Sequence, residues 1–182
     1  AEVGLSPLER GVLAHDVFEH FYREWDGRHG GTITHDRLAD ALALFVQVAR
    51  ARLSSLPGAD RVLEERRLLG SIVNRGVADR VFELEADTGG VVARRLLEQE
   101  LTGTFAFQSF LGEVSHIKVR GKADRIDVFD DGSLRVVDYK LSRLPDRFLS
   151  VQAGVYAHCA RAWLEGQDGR DHPVRSAQYI SL

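Results

Sequence analysis

Residues 121–140 read Gly-Lys-Ala-Asp-Arg-Ile-Asp-Val-Phe-Asp-Asp-Gly-Ser-Leu-Arg-Val-Val-Asp-Tyr-Lys. This stretch predicts two β-strands, over 119–129 and 134–141, on either side of a tight turn. The turn residues, Asp130-Asp131-Gly132, are typical of a three-residue hairpin loop whose Gly adopts the left-handed conformation. The sequence therefore places an antiparallel hairpin at the centre of the chain.

The length of that loop determines which side chains share a face of the hairpin. If residues 130–132 form the loop, Asp124 lies directly opposite Asp138. Side chains two residues apart lie on one face of a strand, so Lys140 shares the face of Asp138 while Tyr139 points the other way. A loop of only two residues would put Asp124 on the opposite face from Asp138. The site hypothesis therefore depends on the three-residue loop.

Two carboxylates and an ammonium group on one patch are suited to binding a metal ion. Like charges opposite each other destabilise a sheet, so Asp124 and Asp138 need a compensating cation. A hard divalent cation takes carboxylate ligands, lowers the pKa of a bound water and neutralises charge on a phosphodiester. Lys140 can orient the attacking water or stabilise a developing oxyanion. The alternative is a surface hairpin with a salt bridge, because Asp and Lys are common in exposed strands.

The same residues resemble the PD-(D/E)XK nuclease superfamily, and in particular its RecB-type branch. In that branch the D-x-K triplet is commonly Asp-Tyr-Lys, which is the sequence from Asp138 to Lys140 here. The stretch 121–127 is similar to the G-x-x-D-R-x-D strand of that branch. Its G-x-x-x-H pattern is matched from Gly11 to His15, and its Q-x-x-x-Y pattern from Gln152 to Tyr156. The four motifs stand in the family's order, and the ordered set is more specific than any one of them.

The resemblance implies a fold and an activity. The fold is α/β, with a PD-(D/E)XK restriction-endonuclease-like core: a central mixed β-sheet flanked by helices and a helical N-terminal half. The activity is that of a Mg²⁺- or Mn²⁺-dependent deoxyribonuclease, acting as an exo- or endonuclease in DNA end processing during recombination and repair. The implied partners are DNA and a helicase domain or subunit outside this chain.

The resemblance also assigns metal ligands. Asp124 and Asp138 bind the metal through their carboxylates, and the backbone carbonyl of Tyr139 is a further ligand. The imidazole of His15 completes the metal shell, which favours manganese somewhat over magnesium. Taken alone, a His in the apolar arc of the first helix is more often a hydrogen-bonded core residue. Gly11, one turn earlier, predicts that a strand or a DNA backbone packs closely there.

Further residues are implied around the metal. Lys140 positions the attacking water, and Gln152 and Tyr156 support the site from one helix face because they are four residues apart. RecB-type domains commonly carry a Glu before the hairpin, and we expect Glu100 in that place rather than Glu98, with an exposed strand acid as the alternative. Two arginines after the hairpin are candidate phosphate contacts, with solvated side chains as the alternative. They are Arg143 and Arg147.

Composition limits the classes of protein that the chain can represent. It has 182 residues, 44% hydrophobic and 28% charged, which predicts one soluble globular domain over 1–182. No apolar run approaches the ~20 residues of a membrane span, and no signal peptide is evident. The single cysteine, Cys159, excludes an intrachain disulfide and fits the cytoplasm. It also excludes the four-cysteine iron–sulfur cluster of some relatives.

Net charge and the first residue bear on nucleic-acid binding and on the larger protein to which the chain belongs. The net charge of −3 gives no overall basic signal for nucleic acid, although metal-site acids account for part of it. The chain begins with Ala and contains no Met, which we interpret as a domain excised from a longer, helicase-associated protein.

Periodicity predicts the remaining elements. A capping box at Ser6-Pro7-Leu8-Glu9 begins a helix to about residue 25. Further helices are predicted over 34–54, 59–85 and 146–165, and strands over 91–107 and 174–182. The arginines of the helix over 59–85 are a candidate phosphate-contacting surface, although interleaved acids favour an ordinary mixed-charge face. They are Arg61, Arg66, Arg67, Arg75 and Arg80.

Two rival functions remain at this point. The chain could be a catalytically inactive nuclease-like module that binds DNA or supports a helicase–nuclease complex. Retention of Asp124, Asp138 and Lys140 argues against that, since a degenerate site would lose these first. A different carboxylate-dependent phosphodiesterase would leave Lys140 dispensable.

Overall fold

The structure is a computed structural model that describes residues 4–108, 110, 112–141 and 152–182. The helices in those ranges are α1 Pro7–Arg28, α2 Leu38–Leu53, α3 Gly58–Leu69, α4 Val77–Thr88 and α5 Gln152–Asp168, with a 3₁₀ turn at His35–Arg37 before α2. The strands are β1 Val92–Gln108, β2 Val114–Phe129, β3 Leu134–Lys140 and β4 Val174–Ser181. The predicted start of the last helix, at residue 146, lies outside the described residues. Within the described ranges, no helix is both long and apolar enough to cross a membrane.

The contacts divide the chain into two compact units. The first unit comprises Ala1–Ala93, Tyr139–Leu144 and Ile180–Leu182. The second unit comprises Arg94–Asp138 and Pro145–Tyr179. The division falls within β3, at the peptide bond that joins Asp138 to Tyr139.

The first unit is helical and has an aromatic core. Its first helix begins as predicted: the Ser6 side chain accepts from the Glu9 backbone N–H, and the Ser6 N–H donates to the Glu9 carboxylate at 2.9 Å. Aromatic rings from three helices then pack edge to face or tilted, the preferred arrangements for such rings. The ring centroids of Phe18 and Phe45 are 4.9 Å apart, and those of Phe21 and Phe82 are 4.6 Å apart.

The prediction of one helix over 59–85 is wrong, because the chain breaks between α3 and α4. Gly70 has φ +79°, a left-handed conformation that ends α3. A Cβ at Gly70 would lie 2.5 Å from the backbone oxygen of Asn74, so only glycine fits this tight turn. Ile72, in the segment between α3 and α4, is fully exposed. Apolar periodicity continued across the break and concealed it.

The second unit contains most of a four-stranded sheet in the order β1-β2-β3-β4. The central hairpin is the predicted one: β2 and β3 are antiparallel, and the Phe129 N–H donates to the Ser133 carbonyl at 2.8 Å across a three-residue loop. Gly132 has φ +82°, the left-handed conformation that this loop requires. The loop chemistry therefore fixed the register correctly.

The sheet is mixed, as the fold class predicts. The Leu134 N–H donates to the Pro173 carbonyl at the start of β3, and the Leu182 N–H donates to the Lys140 carbonyl at its end, so β3 and β4 are parallel. Helix α5 connects them and packs its small residues on the hairpin. The apolar cluster there includes Leu101, Ile126, Val136, Ala157 and Leu164. A helical first half and a mixed sheet confirm the α/β fold class.

Candidate metal centre

Asp124 and Asp138 lie opposite each other on neighbouring strands. The cross-strand partners are Arg125 with Val137 and Ile126 with Val136, and continuing this register by one residue pairs Asp124 with Asp138. Directly opposed residues have Cβ atoms about 4.5–5.5 Å apart. Asp138 is 4% exposed, so its carboxylate is largely withdrawn from water. The register therefore confirms the predicted placement of Asp124 opposite Asp138 on the hairpin.

A carboxylate from Glu98 on β1 lies near that of Asp124. One carboxylate oxygen of Glu98 lies within 4.8 Å of one of Asp124. Glu98 also forms an ion pair with Lys122. The second unit thus presents acids from three adjacent strands.

Glu98 occupies the place that we expected for Glu100. Glu98 has φ +52°, and a left-handed residue inside a strand is typical of a β-bulge, which interrupts the two-residue alternation of faces. Glu100 is 68% exposed and pairs with Arg120 at 3.2 Å. The regular alternation that we assumed for these acids does not hold at the bulge, and the sequence gives no clear signal for it.

Gln152 and Tyr156 reach the acids from α5. The Gln152 side-chain N–H₂ is 3.5 Å from Asp138 Oδ1 and 3.3 Å from the Tyr156 hydroxyl. Asp138, Gln152 and Tyr156 therefore form a chain of polar contacts, in which the amide can hold the orientation of the carboxylate. The predicted pairing of Gln152 and Tyr156 on one helix face is present in the structure.

Gly121 is a site-supporting residue that the sequence analysis did not explain. A Cβ at Gly121 would lie 2.4 Å from Cε1 of the Tyr156 ring and 2.6 Å from its hydroxyl oxygen. Real Cβ atoms do not approach that closely, so Tyr156 can occupy its position only over a glycine. The two residues are 35 apart in the sequence (156 − 121), which is why no local pattern shows the contact.

His15 and Tyr139 meet in the first unit. His15 Nε2 is 3.2 Å from the Tyr139 backbone oxygen, and the Tyr139 ring stacks on Phe18 with centroids 5.3 Å apart. Two neighbouring ligands of an octahedral ion with bonds of about 2.1 Å lie about 3 Å apart, so these two atoms could share an ion. The same distance suits a hydrogen bond from a protonated Nε2, the core-histidine alternative. Lys140, the next residue, is half-buried, and its backbone oxygen accepts from Leu182.

The expectation that a strand packs closely on Gly11 is wrong among the described residues, while its alternative, a DNA backbone, stays a prediction. A Cβ at Gly11 would meet nothing within 4 Å. Glycine is therefore not required there for packing within the described part of the fold. Arg143 and Arg147, the arginines after the hairpin that we predicted to contact phosphate, lie outside the described residues.

Asp127 shows what a carboxylate with a structural role looks like on the same hairpin. Both Nε and Nη2 of Arg135 donate to its Oδ2, at 2.8 and 2.6 Å, and Arg95 donates to its Oδ1 at 3.0 Å. Burial raises the pKa of this carboxyl, but the positive charges of Arg125, Arg95 and Arg135 outweigh burial and bring the pKa down to about 2. Asp127 is thus an anion neutralised by the protein itself.

The acids of the second unit have the chemistry of a hard-cation site. Glu98 and Asp124 bring carboxylate oxygens close together, and the strand register places Asp138 opposite Asp124. Carboxylate oxygens are ligands that Mg²⁺ and Mn²⁺ prefer. Carboxylates opposite each other on a sheet repel, and a bound cation relieves that repulsion. The donor set therefore fits a divalent metal.

Comparison with protein-family models identifies a family. A family model of the PD-(D/E)XK nuclease superfamily matches the chain over residues 1–182. No curated protein matches the chain.

Proposed function

The chain belongs to the PD-(D/E)XK nuclease superfamily, and on that premise we propose that it hydrolyses phosphodiester bonds of DNA with Mg²⁺ or Mn²⁺. One observation carries the proposal: the hairpin register that sets Asp124 opposite Asp138, with Lys140 two residues further along β3. Like charges placed opposite each other weaken a sheet, and a cation bound between the two carboxylates offsets their repulsion.

Each side chain has a proposed role. Asp124 and Asp138 bind the ion through carboxylate oxygens, and the contact within 4.8 Å adds Glu98 to them as a direct or water-mediated ligand. When bound, the ion neutralises charge on the scissile phosphate and makes a bound water more acidic. His15 and the Tyr139 carbonyl, 3.2 Å apart, are proposed as further ligands.

The remaining groups position the reaction. The Lys140 ammonium holds the attacking water or the phosphate oxygen that gains charge. Gln152 fixes Asp138 through its amide, and Tyr156 fixes Gln152 through its hydroxyl. Because Asp138 is almost fully buried, a fixed orientation of its carboxylate requires such a partner.

We further propose that the chain is of the RecB type and acts on DNA ends in recombination or repair beside a helicase domain or subunit. The support is the ordered set of G-x-x-x-H, G-x-x-D-R-x-D, Asp-Tyr-Lys and Q-x-x-x-Y motifs. Two of these motifs are in contact in the fold: the Tyr of Q-x-x-x-Y, Tyr156, lies on the Gly of G-x-x-D-R-x-D, Gly121.

Cleavage assays test the proposal. Linear and circular DNA, single- and double-stranded, are incubated with the chain in Mg²⁺, Mn²⁺ or EDTA. Cleavage is expected with either metal and not with EDTA, and Lys140→Ala should lower kcat about 10²–10³-fold. Lys118→Ala, an exposed lysine on β2, is the matched control and should cut like wild type. Full activity of Lys140→Ala would contradict the proposed role, and DNA binding without cleavage in any metal would indicate an inactive nuclease-like module.

A further inference from the structure

A cavity in the first unit is lined by two arginines that the metal centre does not use. Its volume is about 570 Å³. The cavity is lined by Pro7, Leu8, Arg10, Arg67, Leu141 and Leu182. Apolar residues and two arginines thus line one cavity, where positive charge is available to an anion.

The two arginines are held in place by a buried carboxylate. Glu64 is 2% exposed; its Oε1 accepts from Arg10 Nε at 2.9 Å, and its Oε2 accepts from Arg67 Nε at 2.8 Å. Both oxygens of Glu64 are therefore used to orient guanidinium groups through their Nε atoms. The three side chains carry two positive charges and one negative, which leaves one positive charge in excess.

The outer nitrogens of Arg67 lack an acceptor in the part of the chain that the structure describes. Nη1 and Nη2 are both shielded from water and make no hydrogen bond to any described residue. A buried charged donor without a partner is costly, and such groups in native proteins usually have a ligand, ion or water. The planar fork of a guanidinium matches two oxygens of a phosphate.

The position of the cavity relates it to the reaction. Leu141, which lines it, directly follows Lys140 in the first unit, and consecutive Cα atoms lie about 3.8 Å apart. An anion in the cavity would therefore lie close to the part of β3 that carries the proposed catalytic lysine. Neighbouring phosphates of a nucleic acid strand provide such an anion.

We propose that Arg67 and Arg10 bind a backbone phosphate of the DNA strand on which the chain acts. This inference rests on the proposed nuclease function and adds a substrate-binding subsite to it. On binding, the guanidinium of Arg67 turns so that its outer nitrogens, which are shielded in the structure, meet the phosphate oxygens. Glu64 orients Arg67, and Arg10 adds the second positive charge.

The test measures binding of a fluorescently labelled DNA oligonucleotide to the 182-residue chain in EDTA, where no cleavage occurs. Arg67→Gln should weaken binding about tenfold and lower the slope of log K against log salt by about 0.7–0.9, as expected for one lost phosphate contact. Arg67→Lys keeps the charge but not the fork, so it should keep most of the salt slope and bind a few-fold more weakly. Arg50→Gln, an exposed arginine on α2, is the charge-matched control and should bind like wild type.

A second variant keeps the test decisive if Arg67→Gln does not fold. Arg10→Gln removes the other cation of the cavity, and its side chain is 35% exposed, so its loss disturbs the fold less. Circular dichroism and thermal unfolding establish which variants are folded. If every folded variant of Arg67 and Arg10 binds DNA with wild-type affinity and salt slope, the proposal is overturned.

Two further readouts separate the possible failures. Calorimetry with inorganic phosphate tests the other source of the same anion: phosphate binding by wild type, with DNA affinity unchanged in the variants, would assign the cavity to free phosphate and overturn the DNA proposal. Cleavage is scored separately. If wild type binds DNA through Arg67 but never cleaves it, only the proposed nuclease function is refuted. If wild type cleaves DNA and Arg67→Gln leaves KM unchanged, only the proposed phosphate subsite is refuted.

Discussion

Two carboxylates of one strand, Asp124 and Asp127, have opposite surroundings. Asp127 faces Arg135 across the hairpin and is enclosed by arginines, whereas the register places Asp124 opposite Asp138. The two positions are three apart on β2, so their side chains lie on opposite faces of the sheet. An acid opposite a guanidinium stabilises the hairpin, whereas an acid opposite another acid is suited to binding a cation.

The largest effect should come from removing the charge of the structural acid. Asp127→Asn leaves buried guanidinium groups without their carboxylate, and breaking a buried pair in this way costs about 3–5 kcal/mol. We expect a large drop in the urea midpoint of unfolding, measured in EDTA. Asp124→Asn is the matched change on the same strand and should lower stability little or raise it, because it removes a like-charge contact. Equal destabilisation by the two substitutions would break the comparison.

Acid should reveal the same difference without mutation. The pKa of Asp127 is about 2 in the folded chain, below its value of about 3.9 in unfolded chains. The carboxylate therefore stabilises the fold fully above pH 4, and this stabilisation of roughly 2 kcal/mol is lost as the pH falls toward 2. Carbon-detected NMR of the Asp127 carboxyl should show a midpoint near 2. A midpoint near 3.9 would mean that the arginines do not act as described.

The hairpin could be predicted because its determinants are local. Asp130-Asp131-Gly132 specify a three-residue loop, the loop fixes the register, and the register pairs Asp124 with Asp138. The capping box at Ser6 was predictable for the same reason. In each case a few adjacent residues determine the conformation.

The features that could not be predicted depend on contacts between distant residues or on special backbone conformations. The left-handed conformation at Glu98 creates a bulge that brings Glu98, and not Glu100, to the site. The helix breaks at Gly70 although the apolar periodicity of the sequence continues across that position. Gly121 is required by Tyr156 on a distant helix. No short-range pattern signals any of these three.

A smaller effect should test whether Tyr156 and Gln152 orient the Asp138 carboxylate. Gly121→Ala forces Tyr156 to move, and overpacking of this kind typically costs about 1–2 kcal/mol. Because Tyr156 holds Gln152 and Gln152 holds Asp138, kcat should fall about tenfold with little change in KM. Tyr156→Phe, which keeps the ring and removes the hydroxyl, should lower kcat less.

Gly166→Ala is the control for that substitution, because a Cβ at this position in α5 meets nothing within 4 Å. It should leave kcat unchanged and stabilise the helix by about 1 kcal/mol. If Gly121→Ala lowered stability but left kcat unchanged, Tyr156 would be a packing residue only.

Titration of the chain with Mn²⁺, followed by calorimetry, tests most directly whether the opposed acids hold a cation. We predict that wild type binds Mn²⁺, that Asp124→Asn and Asp138→Asn each weaken binding at least about tenfold, corresponding to about 1.4 kcal/mol, and that Asp130→Asn, an exposed acid of the hairpin loop, binds like wild type. Mn²⁺ affinity that is the same in wild type and in both variants, or no binding by wild type, would contradict the account.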